Sequence, residues 1–342
     1  MSEKFILCIP RGCGFNDVLC QISEAYTFAL KTNRKLIIDT RLSGIADVFS
    51  NYVTSKDPSI EIELTNSRLS QLNSLTCYPK EVEGKIELIH HTFLAVESKK
   101  SSYWRYFNTV NNFSKLFSYL LKPSFDYFKF NRIGFLIDYL RIRKKVLRVH
   151  LDDQLNNSAA VIVQFQSGGG LASLKSIDFF NLRPEITLEV ENRLKYLGED
   201  YDAIHIRHTD YQSDFESFLI NISDELKGRK VLLCTDNKAI FKPAARILEN
   251  SIIVNDLKFN TSKFSIKRTT PLHFQWNSPL HIRRENNINM LTDLVGLARS
   301  GRLYFPGIIK WRDKPYEGIS GFSLLADGLH KNPELLQAWL YE

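Results

Sequence analysis

The sequence predicts an α/β protein of two successive domains, each built on a parallel sheet, and three observations carry that expectation. Short apolar runs bounded by polar turns alternate with segments of helical spacing along most of the chain. The alternation breaks once, in a long run of interleaved aromatic and basic residues from about 99 to 148. A length of 342 residues exceeds the usual size of one core and suits two domains.

Composition narrows the class. Hydrophobic residues make up 44% and charged residues 24%, the balance of a soluble globular protein. No apolar run approaches the roughly 20 residues that a spanning helix needs. The run from Phe5 to Pro10 is too short for a signal segment and is placed like a first strand, so the expected location is the cytoplasm. Cys8, Cys13, Cys20, Cys77 and Cys234 show neither Cys-x-x-Cys nor zinc-type spacing, so reduced thiols are expected. A formal net charge of +7 favours an anionic partner: a nucleotide, a membrane surface or nucleic acid.

Phe5 to Ile9 reads as a buried strand, and residues 11–17 as the turn leaving it. Val18, Leu19, Ile22, Ala25, Tyr26, Ala29 and Leu30 then recur at helical spacing, and Lys35 to Asp39 is a second strand. Gly12 and Gly14 sit in the turn of this β-turn-α-β unit, where they either permit a tight bend or let a ligand approach the helix start. The unit lacks the third glycine of a dinucleotide fingerprint and the Gly-Lys-Ser/Thr of a P-loop.

Short strands are expected at Ile60–Leu64 and Ile86–Ile89. The run from Lys99 to Arg148 then reads as two amphipathic helices flanking Pro123. Its rings and cations suit either an anionic membrane surface or a helical layer packed on the sheet. Polar residues 152–158 mark a boundary. Beyond it come a strand at Ala159–Phe165, a glycine-rich loop at Gln166–Gly170 and a helix at Ile186–Leu197. The alternation continues with strands at Ala203–Arg207, Lys230–Asn237, Ser251–Val254 and Arg302–Phe305. Helices are expected at Phe215–Lys227, Lys238–Leu248, Ile288–Ala298, Leu324–Ala326 and Pro333–Tyr341, and residues 260–284 read as a polar connection.

The chemistry concentrates at strand ends, where open α/β sheets bind ligands. His205, Arg207 and Asp210 come from one such end. Asp236, with Thr235 and Asn237, comes from the next, and Ser320 and Ser323 from a turn at a helix start. A guanidinium fixed at a strand end takes phosphate oxygens through two charge-assisted hydrogen bonds, and a helix start takes the rest. An ionised Asp236 accepts from adjacent N–H donors such as guanine offers. Together these groups describe a pocket for a nucleoside diphosphate.

Gly12-x-Gly14-Phe15-x-Asp17, with the helix to Ala29 and the segment from Thr32 to Arg41, resembles the amino-terminal motif of NodZ-like fucosyltransferases. His205-x-Arg207-x-x-Asp210 resembles the His-x-Arg-x-x-Asp motif of α-1,6-, α-1,2- and protein O-fucosyltransferases. The strand end at Asp236, the helix carrying Asp293, and the Gly318–Ser323 segment are similar to that superfamily's later nucleotide motifs in order and spacing. The resemblance spans the first 45 residues and most of 160–328, without the basic-aromatic run.

That resemblance implies a GT-B fold, two Rossmann-like domains facing across a cleft. The implied division is an acceptor-side domain at 1–155 carrying the insert at about 99–148, a nucleotide-sugar domain at 156–328, and a tail at 329–342 that crosses back. It further implies inverting transfer from GDP-fucose to a glycan acceptor, with no metal and no other cofactor. Gly12, Gly14, His205, Arg207, Asp210, Asp236, Asp293, Ser320 and Ser323 would then hold the donor. Arg207 would stabilise the leaving diphosphate, and Glu216 or Asp214 would act as base, with Asp17 and Asp39 of the facing domain as alternatives. The expected setting is synthesis of a bacterial surface polysaccharide on a lipid-linked acceptor, peripheral to the inner membrane face through Lys99–Arg148. A different sugar-nucleotide donor on the same fold is the alternative. Nucleic-acid binding through the basic run is a third reading, and no nucleic-acid partner is expected because it leaves the pocket motifs unused.

Overall fold

The computed structural model describes residues 3–89, 142, 145–146, 149–152, 155, 158–254, 278–311 and 314–341. Strand β1 (Phe5–Cys8), helix α1 (Phe15–Lys31) and strand β2 (Lys35–Ile38) form the expected β-turn-α-β unit. Strands β4 (Ile60–Glu61), β5 (Cys77–Tyr78) and β6 (Val161–Gln164) complete a parallel sheet in the order β4-β2-β1-β6-β5. Successive side chains of a strand point to opposite faces, and both faces here are covered. Ile6 and Cys8 pack with Val18, Leu19 and Ile22 of α1, while Phe5, Leu7 and Ile9 pack with Leu72 of helix α2 (Asn66–Asn73), Val82 and Ile86 behind the sheet.

Two sequence readings of this half are corrected. The run Ile86–Ile89 is not a strand: Glu87–Ile89 are helical, with Ile86 and Ile89, three residues apart, both buried. Four residues are too few to separate a period of two from one of 3.6. The strand at 159–165, read as opening the second domain, instead lies in the first sheet, with Phe5 opposite Val161 and Cys8 opposite Gln164. A parallel neighbour must return through a long crossover, so sequence distance from β1 concealed the pairing. The basic-aromatic run lies outside the described residues apart from Ile142, Lys145 and Val146, of which Ile142 and Val146 are buried behind this sheet.

After β6 come helix α3 (Ser173–Ile177), strand β7 (Phe180–Leu182) and helix α4 (Pro184–Leu194). Strand β7 pairs antiparallel with β3 (Val53–Ser55), tying the connection to the first half. The second sheet is parallel in the order β11-β10-β8-β12, comprising β8 (Asp202–Ile206), β10 (Val231–Thr235), β11 (Ser251–Ile252) and β12 (Leu303–Tyr304). Helices α5 (Phe215–Ser223) and α6 (Phe241–Ile247) cover the face carrying Ile204, Ile206 and Leu233. Helix α4 and helix α7 (Leu280–Ala298) cover the face carrying Ala203 and Leu232. Gly296 lets α7 lie close to β10, since a Cβ there would meet Leu232 Cδ2 at 2.7 Å.

The inner faces of the two sheets share one apolar cluster, from Val18 and Ile22 of α1 to Leu294 and Val295 of α7. Helices α8 (Gly321–His330) and α9 (Pro333–Tyr341) join it through Leu325, Leu329 and Trp339. The tail helix α9 docks on the connection: Thr187 Oγ1 donates to the Leu340 carbonyl at 3.1 Å. A polar clasp joins the halves as well, with Asn287 Nδ2 donating to the Ile45 carbonyl at 2.9 Å and the Tyr52 hydroxyl at 2.8 Å. The sequence reading contained no third sheet, yet β9 (Tyr211–Ser213), β13 (Ile308–Trp311) and β14 (Lys314–Gly318) form one, antiparallel in the order β14-β13-β9.

Candidate functional site

The register of β8 and β10 sets Cys234 beside His205 and Thr235 beside Ile206, which carries Arg207 and Asp236 to adjacent strand ends. Arg207 Nη1 lies 2.5 Å from Asp236 Oδ2, and its other terminal nitrogen contacts Asp210 Oδ1. Burial works against the guanidinium charge, but Asp236 and Asp210 outweigh it and hold the pKa above the ordinary arginine value. The group is a permanent cation clamped at both ends. The Tyr211 ring supports it, with the guanidinium carbon 5.8 Å from the ring centroid.

Asp236 does more structural work than the sequence reading assigned to it. One oxygen accepts from the His208 N–H at 2.8 Å, the other from the Thr209 hydroxyl at 2.5 Å as well as from Arg207. Little acceptor capacity remains for the N–H edge of a base. Asn237 Nδ2 adds a bond to the His208 carbonyl at 2.8 Å, so the loop after β8 is tied to the loop after β10.

His205 lies deeper. Its Nδ1 is 2.7 Å from Ser323 Oγ and its ring is 5.1 Å from that of Phe322, both in the first turn of α8. Burial lowers its pKa to about 4, with Asp236 pulling it up and Arg207 pushing it down, so the imidazole is neutral near pH 7. Above pH about 6.5 the ring is neutral in folded and unfolded chains alike. Between there and pH about 4 the unfolded chain takes up the proton first, so stability falls as pH falls, by up to about 3 kcal/mol. Comparing denaturant unfolding of wild type and His205→Gln across that range should show this dependence shrinking in the variant.

Helix α8 begins at Ser320, whose side chain makes no capping bond, and its first intrahelical acceptor is the Ser320 carbonyl, bonded by Leu324 N at 3.0 Å. The N–H groups of Gly321, Phe322 and Ser323 are thus left over, the usual condition of a helix start and an attraction for anions. Helix α1 starts in the same place from the other half. Gly14 is its N-cap, with open space where a Cβ would stand, and Gly12 takes φ +50° to make the bend. The two helix starts abut: a Cβ on Gly321 would meet Asn16 Nδ2 at 2.7 Å. Asn16 Oδ1, buried there, has no hydrogen-bond partner among the described residues.

Asp17 completes the arrangement. Burial raises its carboxyl pKa, and the Asn16 hydrogen bond and the Arg207 charge lower it by less, leaving it above the ordinary carboxylate range. The glycine loop after β6 packs on it: a Cβ at Gly169 would come within 2.0 Å of Asp17 Oδ1. Gln21 Nε2 and Asn16 Nδ2 fix that loop through the carbonyls of Gly168 at 3.0 Å and Gly170 at 3.3 Å. The glycine-rich loop therefore shapes the wall around Asp17.

The other candidate acids fall elsewhere. Asp214 is an exposed N-cap of α5, accepting from Ser217 N at 3.4 Å, and Glu216 is exposed in that helix's first turn. The structure thus gives Asp214 a capping role, and places Glu216 on the solvent side near His208. Asp39 is buried and held by Arg41, which donates at 2.9 Å and 2.8 Å. Asp293 on α7 hydrogen-bonds the buried Cys234 thiol, whose pKa burial and Asp293 together push well up. Sequence reasoning missed Asn16, Thr209 and Phe322, which follow or precede the motif residues and act only through the packing of separate elements. Among the described residues, no group of three His, Cys, Asp or Glu side chains is arranged to hold a metal ion. No helix among them is long and apolar enough to cross a membrane.

No protein-family model and no curated protein matches the sequence. Solved structures do match the fold. The fucosyltransferase NodZ from Bradyrhizobium aligns over 96% of this chain and 94% of its own, with a TM-score of 0.51 and 17% identity. NodZ α-1,6-fucosyltransferase co-crystallised with GDP aligns over 96% and 93%, with a TM-score of 0.53 and 18% identity. The same enzyme soaked with GDP-fucose gives a TM-score of 0.50 and 16% identity over 96% and 93% of the two chains. At these identities the likeness is one of fold: an α/β, GT-B-like arrangement of two parallel sheets.

Proposed function

We propose that this chain is an inverting glycosyltransferase that moves fucose from GDP-fucose to a hydroxyl of a glycan acceptor. The observation that carries the reading is the convergence of Arg207, clamped by Asp210 and Asp236, with the open start of α8, opposite Asp17 and the start of α1. A cation and unspent N–H groups on one wall, with a carboxylate of raised pKa on the other, suit departure of a diphosphate and activation of an alcohol. The fucosyl donor is taken from the order of the sequence motifs and from the GDP and GDP-fucose complexes of the NodZ proteins that share the fold.

The acceptor oxygen attacks the anomeric carbon while the bond from that carbon to the diphosphate oxygen breaks on the opposite face. The acceptor proton passes to Asp17, and the electron pair leaves with GDP. Arg207 and the α8 N–H groups take up the charge developing on the departing oxygens, the role a divalent cation has elsewhere, so the reaction proceeds without metal in this reading. His205 and Ser323 set the helix start against the strand end. The half built on the second sheet holds the donor, and the first half supplies Asp17, the base that meets the acceptor hydroxyl. A lipid-linked surface-glycan acceptor, reached from the inner membrane face, rests on the composition of residues 99–148 alone.

Calorimetry of GDP, GDP-fucose, GDP-mannose, UDP and CMP on the purified protein, with chelator present, tests the donor. Selective binding of guanine nucleotides, tightest for GDP-fucose, is the expected result. Preference for UDP or CMP, or binding that returns only with added metal, would overturn the assignment.

A further inference from the structure

The antiparallel sheet β9-β13-β14 presents aromatic rings that the transfer chemistry does not use. Tyr211 and Trp311 are opposed across β9 and β13, and their rings stack at 6.2 Å with an interplanar angle of 20°. Tyr316 of β14 meets Tyr211 edge-on at 5.5 Å. Lys314 is opposite Trp311, and Tyr316 lies where the pairing shifts register beyond Pro315. Gly318 leaves room for the Tyr316 ring, since a Cβ there would stand 2.8 Å from Tyr316 Cε1. The cluster is nonetheless open to solvent: Trp311 is 39% and Tyr316 41% exposed, flanked by Ile309 at 49% and Ile319 at 45%.

Cross-strand ring pairing stabilises a sheet, but that accounts for contact between rings and not for the exposure of Trp311 and Tyr316. The position of the cluster is informative. Tyr211 lies under the Arg207 guanidinium, and the Asp17 charge contributes to raising its phenol pKa. The ring platform therefore continues the wall of the cleft outward from the reacting groups.

We propose that Tyr211, Trp311 and Tyr316 form the acceptor subsite and bind a pyranose ring by stacking against its C–H face. This rests on the transferase reading of the cleft. A neutral sugar presents an apolar face and a hydroxyl edge, and an indole or phenol offers the matching pair, an apolar ring and a polar rim. Flat rings held by a sheet, one glycine and each other lose little side-chain freedom on binding. Lys314, exposed on the same face, stands at the platform edge where ring hydroxyls would project.

The test uses the full chain on an array of neutral oligosaccharides, with GDP calorimetry run beside it. Wild type should retain a defined set of glycans. Trp311→Ala should weaken them up to about tenfold, Tyr316→Ala severalfold, and Trp311→Tyr should restore most of the loss. GDP affinity should stay within about twofold in all three variants, which also shows that they fold. In turnover assays the loss should fall on acceptor KM rather than kcat. Glycan retention unchanged in Trp311→Ala and Tyr316→Ala, with GDP bound normally, overturns the platform and leaves the donor reading standing. Absence of glycan binding, or loss in Trp311→Ala of binding to phosphatidylcholine–phosphatidylglycerol vesicles instead, overturns it too. Failure of wild type to bind GDP strikes the transferase reading itself.

Discussion

Arg207→Ala is expected to remove guanine-nucleotide binding almost completely. A guanidinium facing a diphosphate makes two charge-assisted hydrogen bonds at about 1.5–3 kcal/mol each, so the loss is roughly 10² to 10⁴-fold in affinity. The clamp explains why the effect should be large. With Asp210 and Asp236 holding its nitrogens, Arg207 is positioned before the ligand arrives. Removal also leaves two carboxylates facing each other at a half-buried site, so a stability cost is expected along with the binding loss. Arg207→Lys separates the two effects. It keeps a positive charge between Asp210 and Asp236 but loses the planar fork, so the fold should survive while most of the nucleotide affinity does not. Thermal unfolding checks the first and calorimetry the second. Nucleotide affinity unaltered in Arg207→Ala would sink the diphosphate assignment.

The residues of this clamp show what a sequence discloses and what it withholds. Arg207 and Asp236 were identifiable because each ends a short apolar run, and strands deliver the residues that follow them to one edge of a sheet. The helix starts at Gly14 and Ser320 were legible for a related reason: glycine and serine before a helical period mark exposed N–H groups. What failed was pairing over distance. Nothing local to Val161–Gln164 says that it lies beside Phe5–Cys8 rather than opening a new sheet, because that choice is made by the crossover between them. The hairpin of β13 and β14 was hidden differently. Ile308–Trp311 and Lys314–Gly318 expose most of their side chains, so they lack the buried periodicity by which a strand is recognised.

The base is the part of the site that local sequence discloses least. Position after the Asp210 motif favours Glu216 and Asp214, yet offset along a chain says nothing of which way a helix turns, and both acids end on the solvent side of α5. Asp17 faces Arg207 only because two halves of the chain meet at their helix starts. Asp17→Asn is expected to lower kcat by about 10² to 10⁴-fold with donor affinity nearly unchanged. The raised carboxyl pKa means that the acid limb of the wild-type rate profile should lie above the usual aspartate value of about 3.9 and vanish in the variant. The sign for stability runs the other way. A carboxyl whose folded pKa is raised favours the folded chain while protonated, and that advantage is lost as pH rises through the folded pKa. Asp17→Asn should therefore be at least as stable as wild type near neutral pH, an inactive protein that melts no earlier. Glu216→Gln, by contrast, alters an exposed side chain and should change stability by no more than about 0.5 kcal/mol and leave the acid limb in place. A full rate in Asp17→Asn together with a lost acid limb in Glu216→Gln would return the role to the helix after the motif. It would also mean that α5 turns Glu216 toward the cleft when the acceptor binds.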